Sequence, residues 1–116
     1  MRFITKTVEY NEVYRSHRRY QGKYFNLLVH FSGAEECIGI GIVVSSKVGK
    51  AVIRNKLKRR IKGFLHGYKG SLPKGVKVVI ISKREAATID WTELCKDLED
   101  SFKSISLSQV EHRIEC

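Results

Sequence analysis

The residues with the clearest chemical potential lie in the segment KAVIRNKLKRRIK, positions 50–62. Seven of these thirteen side chains are Lys or Arg and none is acidic. Like charges held this close together repel one another unless a polyanion neutralises them. Lys and Arg neutralise nucleic-acid phosphates and release counterions, so such binding weakens as salt rises. The segment therefore predicts a phosphate-binding surface. No Ser/His/Asp set or carboxylate pair falls near it, so we expect no catalytic side chain.

Three known nucleotide- and RNA-binding motifs come close to this part of the chain and fail on spacing. A Walker loop needs four residues between its first glycine and Gly-Lys, then Ser or Thr. Here the interval from Gly41 to Gly49 is too long, and Ala51 follows the lysine. A dinucleotide fingerprint would need glycine at Val44. GYKG at 67–70 matches the GXXG of a KH domain, but a proline loop and a strand follow it where a helix is required.

Length and composition predict one domain, spanning 1–116, with no membrane segment and no protein-bound metal. A chain of 116 residues with 42% hydrophobic side chains can bury one core but not two. No apolar run approaches the roughly eighteen residues of a transmembrane helix, and the N-terminus is not a secretory signal. The three cysteines and four histidines lack metal-ligand spacing. We expect reduced thiols and a cytoplasmic protein, with a Cys37–Cys95 disulfide as the alternative.

Charge is unevenly placed along the chain, whose net charge is +10. Between Cys37 and Arg84 there are thirteen Lys or Arg and no acid, whereas from Glu85 to Cys116 eight acids face three bases. Charge chosen only for solubility would mix both signs. The asymmetry therefore indicates one face for a polyanion and another for solvent.

Hydrophobic periodicity predicts the elements that position this segment. In chain order they are a short helix in TVEYNEVYRSHR, strands in YFNLLVHF and CIGIGIVVS, a basic helix over 49–66, a strand over 76–82 and an acidic helix over 90–104. We expect Gly67 just beyond the basic helix, a capping pair of Asp90 and Glu93, and a loop around Pro73. This order predicts an α+β, two-layer sandwich, with a small, mostly antiparallel sheet and helices mainly on one side.

The basic helix has two kinds of cation by its geometry. Ile53, Leu57, Ile61 and Phe64 form one apolar stripe, and Trp91, Leu94, Leu98, Phe102 and Ile105 form another on the acidic helix. Lys56, Arg59 and Lys62 lie well outside the first stripe, and Arg54 and Lys58 flank it. Gly39 and Gly41 leave one face of their strand bare. Either a ligand approaches there or the glycines serve a bulge or close helix packing.

The segment VSSKVGKAVIRNKLKRRIK, residues 44–62, closely resembles the signature of the bacterial ribonuclease P protein subunit. The length of the chain, EYNEVY before the first strand, and VVIIS followed by a final helix extend the resemblance. Ser46 and Gly63 depart from it, standing where a lysine and an acid are common. The matching residues are Val48, Gly49, Ala51, Arg54, Asn55, Lys56, Leu57, Lys58, Arg59, Ile61 and Lys62.

The resemblance implies a ribosomal-protein-like fold with a left-handed βαβ crossover, an exception to the usual hand. It implies an endoribonuclease holoenzyme in which a catalytic RNA, with Mg²⁺ bound mainly by RNA and substrate, removes the 5′ leader of precursor tRNA. The protein would be monomeric, with one copy per RNA. It would bind the leader in a groove on the sheet face and strengthen substrate and metal binding.

By position, the resemblance assigns Tyr10 and Tyr14 to the leader groove, where single-stranded bases would stack on them. Leu28 falls where some relatives carry another aromatic residue. A purely structural role for both tyrosines is the alternative. Ser45, Lys47, Arg54, Asn55 and Lys58 match groove or junction positions. Lys56, Arg59, Arg60 and Lys62 match the face toward the catalytic RNA, and Lys50 belongs to the same RNA-binding segment.

Two other functions are compatible with the basic helix. A ribosomal or general structured-RNA-binding protein without a role in tRNA processing would use the same surface. A DNA-binding helix-turn-helix would want a short helix just before the basic one, where a glycine-rich strand is predicted instead.

Overall fold

The computed structural model describes residues 2–15, 17–31, 38–68 and 75–115, with residues 2 and 106–115 described as backbone only. The predicted Pro73 loop and both Cys37 and Cys116 lie outside these residues, and Cys95 is a free thiol. The strands are β1 (Arg2–Phe3), β2 (Arg18–Gln21), β3 (Phe25–Phe31), β4 (Gly39–Val43) and β5 (Val76–Ser82). The helices are α1 (Thr7–Arg15), α2 (Ala51–Gly67), a 3₁₀ helix (Arg84–Thr88) and α3 (Trp91–Glu115).

The five strands form one mixed sheet in the order β1-β4-β5-β3-β2. β3 pairs antiparallel with β2 and β5, and these ladders hold most of the aligned residues. β4 pairs parallel with β1 and β5, so β4, α2 and β5 form a βαβ unit. The fold is thus the predicted α+β sandwich around a mainly antiparallel sheet. The hand of the crossover stays a prediction.

The main core lies between one face of the sheet and helices α2 and α3. Alternate residues of the strands point into it, as the period of two requires. The predicted apolar stripes of both helices are buried there except at one end of each. Ile53 and Trp91 are exposed, because each stands at the first turn of its helix beyond the edge of the sheet. The largest fully buried members are Phe25, Leu27, Ile40, Ile61, Ile80, Leu94, Leu98, Phe102 and Ile105.

The bounds of the two long helices differ from the predicted ones for local reasons. α2 includes Gly67 as its last residue, and Tyr68, whose backbone is extended, caps it. The Tyr68 ring packs on those of Phe64 and Phe102, with centroids 5.4 and 5.1 Å away, and this contact takes residue 68 out of the helix. α3 begins as predicted, since the Glu93 N–H donates to Asp90 Oδ1 at 2.8 Å, but it runs on to Glu115.

Asp97 ties α3 to the turn between β2 and β3. Its carboxylate accepts the backbone N–H groups of Lys23, Tyr24 and Phe25, at 2.8, 3.1 and 3.2 Å. A Cβ at Gly22 would lie 2.8 Å from the backbone carbonyl oxygen of Phe25 and 2.8 Å from the Asp97 carboxylate, so the turn requires glycine there. Hydrogen bonds to a charged acceptor are strong, and the single Asp97 side chain satisfies three backbone N–H groups.

The first helix packs on the opposite face of the sheet. Val13 of α1 is fully buried against Leu28 of β3 and Val79 of β5. Helices α2 and α3 therefore share one face, and α1 alone covers part of the other. This placement depends on tertiary contacts that periodicity does not reveal.

Candidate nucleic-acid interface

Helix α1 covers only one end of its face of the sheet. The register places Gly39, Lys77 and His30 in one row across the strands, Gly41, Val79 and Leu28 in the next, and Val43, Ile81 and Asn26 in the third. α1 packs over the first two rows. The third row is half-buried, and we call its three residues the open strip. The strip is a shallow apolar floor beside the end of β4, where the exposed Ser45 follows.

Tyr10 and Tyr14 of α1 are neighbours on one side of the helix, with ring centroids 6.3 Å apart and planes tilted by 32°. The Tyr10 ring lies on bare backbone, since a Cβ at Gly41 would come within 2.6 Å of its Cε1. Its hydroxyl donates to the Ile4 carbonyl at 3.2 Å, and burial raises the pKa of Tyr10. Tyr14 is 43% exposed. The Tyr10 ring is therefore held in place on the sheet, whereas the exposed Tyr14 ring can contact a ligand.

The glycine-bearing face of β4 thus serves close helix packing, one of the two alternatives that the sequence left open. Ile4 side-chain atoms would lie 3.3 Å from a Cβ at Gly39, and Tyr10 fills the space above Gly41. Leu28, predicted in the leader groove, is only 7% exposed and packs under Val13. It can support α1, but it offers little surface to a ligand.

A buried charge cluster holds α1 on the sheet. Lys77 of β5 is only 4% exposed, and its Nζ lies 2.7 Å from Glu12 Oε2 and 4.0 Å from Glu9 Oε1. Glu12 Oε1 lies 3.4 Å from His30 Nε2. The hydrogen bond from Lys77 is the main cause that lowers the pKa of Glu12. Because both acids belong to α1, the cluster fixes the height and rotation of the helix that carries the two tyrosines.

The cations of α2 divide as the helix geometry predicted. Lys56, Arg59 and Lys62 are exposed, as are Lys47, Lys50 and Asn55, whereas Arg54 and Lys58 are half-buried. The described part of the chain contains no carboxylate paired with any of these side chains. Arg60 differs, because its Nη1 donates to the Ile89 carbonyl at 2.9 Å and so joins α2 to the start of α3.

Four buried side-chain polar atoms of the described residues lack a hydrogen-bond partner. The Tyr20 hydroxyl and Ser82 Oγ lie away from the proposed binding positions, and the other two lie on predicted or neighbouring ones. These last two are Arg54 Nε at the flank of α2 and Asn26 Oδ1 in the open strip. An unsatisfied buried polar group costs about 1–3 kcal/mol, so a ligand that supplied the partner would gain in affinity. Asn26 was not predicted, although a polar residue on the apolar strand β3 was a usable signal.

Arg19 is a second candidate that the sequence did not reveal. It aligns with Leu28 in the β2–β3 ladder and therefore shares the α1 face, at the sheet edge. Strand β2, with the sequence RRYQ, has no apolar alternation and was not predicted at all. Arg19 is exposed and adds a cation beside the open strip.

A metal-ligand cluster and a membrane-spanning helix are both absent from the described residues. No group of three or more His, Cys, Asp or Glu side chains there could hold a metal ion. No described helix is long and apolar enough to cross a membrane.

Comparison with known proteins identifies the family. The family model for ribonuclease P matches residues 2–106. The ribonuclease P protein component of Thermobifida fusca is 36% identical over 64% of this chain, and that match spans only 52% of the relative. The Pediococcus pentosaceus component is 30% identical over 90% of this chain and 87% of its own. The RNase P protein structure from Thermotoga maritima superposes with a TM-score of 0.74 at 30% identity, covering 84% of this chain and 91% of that one.

The residues matched by the family model include the mixed sheet, the basic helix α2 and the tyrosine-bearing helix α1 described above. The chain therefore belongs to the ribonuclease P protein family, whose members are components of the enzyme that matures the 5′ end of tRNA.

Proposed function

We propose that this ribonuclease P protein works by binding two stretches of RNA on two faces, and that it supplies no catalytic group. The 5′ leader of precursor tRNA lies along the open strip, and the catalytic RNA subunit lies against the outer face of α2. The single observation that carries the proposal is the pair of surfaces on opposite faces of the sheet. One holds exposed α2 cations that no described carboxylate pairs, and the other holds an apolar strip flanked by Tyr10 and Tyr14.

The open strip suits a single-stranded RNA rather than a duplex. Val43 and Ile81 offer an apolar floor, Tyr14 offers a ring, and Asn26 carries an unsatisfied carbonyl oxygen. Stacking of a base on an aromatic side chain contributes roughly 1–3 kcal/mol and tolerates any sequence. A leader whose sequence differs from one precursor to the next needs this kind of contact. Arg19 and the residues Ser45 and Lys47 would then meet its phosphates.

The outer face of α2 suits structured RNA. Lys56, Arg59 and Lys62 point to solvent, and Arg54 keeps one buried nitrogen without a partner that a phosphate oxygen would satisfy. Each phosphate neutralised should contribute a slope of about −0.7 to −0.9 to the dependence of log affinity on log salt. A small monomeric protein with one such surface would bind the RNA subunit in a single copy.

Mg²⁺ would be held by the RNA and the substrate phosphates. The described side chains do not assemble oxygen ligands for it, since the acids of α1 already bind Lys77 and Asp97 binds backbone N–H groups. Mg²⁺ keeps several waters and binds readily to phosphate oxygens. The protein assists by lowering the repulsion between the two RNAs, which reduces the concentration of Mg²⁺ that their association requires.

Reconstitution tests this function. The purified protein is mixed with a bacterial ribonuclease P RNA and a precursor tRNA, and cleavage is followed as Mg²⁺ is lowered. We expect the protein to move the Mg²⁺ dependence of cleavage to lower concentration. We also expect a stronger effect on a precursor with a leader of several nucleotides than on one with a single-nucleotide leader. An RNA-binding protein outside tRNA processing would change neither quantity, and that result would overturn the proposal.

A further inference from the structure

A groove of about 450 Å³ runs between α2 and the start of α3, away from both the open strip and α1. Its α2 wall contains Ile53, Lys56 and Arg60, and its other wall contains the 3₁₀ helix and Trp91. Its two half-exposed apolar side chains, Ile53 and Trp91, are the ones that the sequence wrongly placed in the core. The described structure leaves this surface open. The groove adjoins the outer face of α2 proposed above and shares Lys56 with it, whereas its other lining residues are not used by that face.

Gly63 of α2 is a neighbour of one groove residue, Trp91. Trp91 lies beside it, because a Cβ at Gly63 would be 3.6 Å from Trp91 Cη2. At 100° per residue, Gly63 follows Lys56 and Arg59 along one outward stripe of α2. The indole therefore lies next to bare backbone on the charged side of the helix. It is 48% exposed, and it is the only tryptophan in the chain.

The charges around the groove favour an anion. Lys56 has no hydrogen-bonded or ionic partner in the described part of the chain, and Arg59 is exposed one turn further along. Arg60 is held by the Ile89 carbonyl. The single acid in the lining, Asp90, accepts the Glu93 N–H and is thus engaged in capping α3. The position after Lys62, where an acid would oppose an anion, is Gly63 itself.

We propose that this groove takes an unpaired nucleobase of an RNA, stacked on Trp91, with the adjoining phosphate on Lys56. The inference rests on the proposed function and adds a third RNA contact to it. An exposed indole beside unpaired lysine is the pair of groups that single-stranded RNA recognises, a π-face for the base and a cation for the backbone. A base within a duplex has no free face to offer, so the occupant is a bulged or looped nucleotide of the RNA partner.

Trp91 provides its own readout, since its emission reports on this groove alone. The full chain is titrated with a single-stranded RNA of about ten nucleotides and, separately, with the same sequence as a duplex. We expect the single strand to quench Trp91 emission and to shield it from acrylamide, and the duplex to do neither. Lys56→Ala should weaken the quenching titration several-fold. Lys103→Ala, which removes an exposed lysine already paired with Glu99, should leave it unchanged.

Affinity for the catalytic RNA gives an independent test by filter binding. Trp91→Leu should lower the affinity several-fold, and Trp91→Phe should keep most of it, because a ring face remains. Gly63→Glu and Gly63→Gln introduce side chains of nearly the same volume beside the indole of Trp91, and the two side chains differ in charge. The Glu variant should bind more weakly than the Gln variant, and circular dichroism checks that each variant is folded.

The outcomes separate the two proposals. If the protein lowers the Mg²⁺ requirement of cleavage while Trp91 emission and the affinity of Trp91→Leu stay unchanged, the nucleobase site is wrong and the proposed function stands. If no RNA binds in a salt-dependent manner, both are wrong. If the duplex quenches as strongly as the single strand, the groove recognises phosphates only and the stacked base is excluded.

Discussion

Two lysine-bearing regions of this molecule illustrate opposite uses of the same side chain. Lys77 in β5 is buried and faces Glu9 and Glu12 of α1, so its charge is neutralised within the protein. Lys56 and Lys62 in α2 are exposed and face no acid in the described residues. Charge that is paired internally positions a helix, whereas charge left unpaired is available to a partner. The distinction depends on neighbours across the sheet, not on the local sequence.

The largest expected effect comes from breaking the internal pairing. Lys77→Met removes the cation between Glu9 and Glu12 while keeping much of the apolar stem. Removing one partner of a buried ion pair costs several kcal/mol, and since Glu12 is partly exposed we expect a loss of about 2–3 kcal/mol in the free energy of unfolding. Urea denaturation measures it.

A control for this variant is the triple change Glu9→Gln, Glu12→Gln and Lys77→Met, which leaves no isolated charge. It should recover much of the lost stability. If Lys77→Met is as stable as the parent protein, the cluster does not hold α1.

The next largest effect comes from removing unpaired charge. Lys56→Ala, Arg59→Ala and Lys62→Ala together should weaken binding to the catalytic RNA and reduce the log–log salt slope by roughly 2–3, because about three phosphate contacts are lost. Unfolding in urea should be nearly unchanged, because Lys56 and Arg59 are exposed without partners. Lys62 makes only a cation–π contact, with its Nζ 5.3 Å from the centroid of the Phe3 ring. If this triple variant lost stability but kept the log–log salt slope of the parent protein, the assignment of these three cations to an RNA partner would be wrong.

A smaller effect is expected at Gly63, within α2. Gly63→Ala should raise the free energy of unfolding by up to about 1 kcal/mol, since alanine favours the helix and its Cβ would make an ordinary contact with Trp91. Thermal unfolding measures the gain. Gly67→Ala, at the open end of the same helix with no atom near its Cβ, is a matched control for propensity without the indole.

The smallest effect concerns pH. The hydrogen bond from Lys77 lowers the pKa of Glu12 below its ordinary value of 4.5 in the folded state. Its stabilising contribution is therefore fully present above pH 4.5 and is lost as the pH falls through the lowered pKa. The urea midpoint of Glu12→Gln should therefore fall less than that of the parent protein as the pH is lowered below 4.5. If the urea midpoints of Glu12→Gln and of the parent protein fall equally with pH, other carboxylates cause the loss of stability in acid.

The sequence predicted those parts of the fold that repeat along the chain. Strand 76–82 follows from its continuous apolar run, the outward cations of α2 follow from the helical period of 3.6, and the start of α3 follows from Asp90. Strands β1 and β2 were missed because one has two residues and the other lacks alternation. Trp91 matched the apolar stripe of α3, but its position in the first turn carries it past the core.

The sequence predicted which residues belong to the candidate sites, but it did not predict which of them contact one another. The sequence singled out Tyr10 and Gly41 separately, and only the fold shows that the ring lies on the glycine. The partnership of Lys77 with Glu12 joins positions 65 apart. The open strip is the row of this face that stays half-buried beside α1, and only the position of α1 over the neighbouring rows reveals it.

The Asp97 carboxylate has a further consequence for how the molecule opens. The amide protons of Lys23, Tyr24 and Phe25 all end on this one side chain. They can exchange with solvent deuterium together once α3 leaves the hairpin, and they are shielded as a set while it stays. The exchange of three adjacent amides at the start of β3 therefore reports the release of α3, whose Asp97 lies more than seventy positions away in the chain.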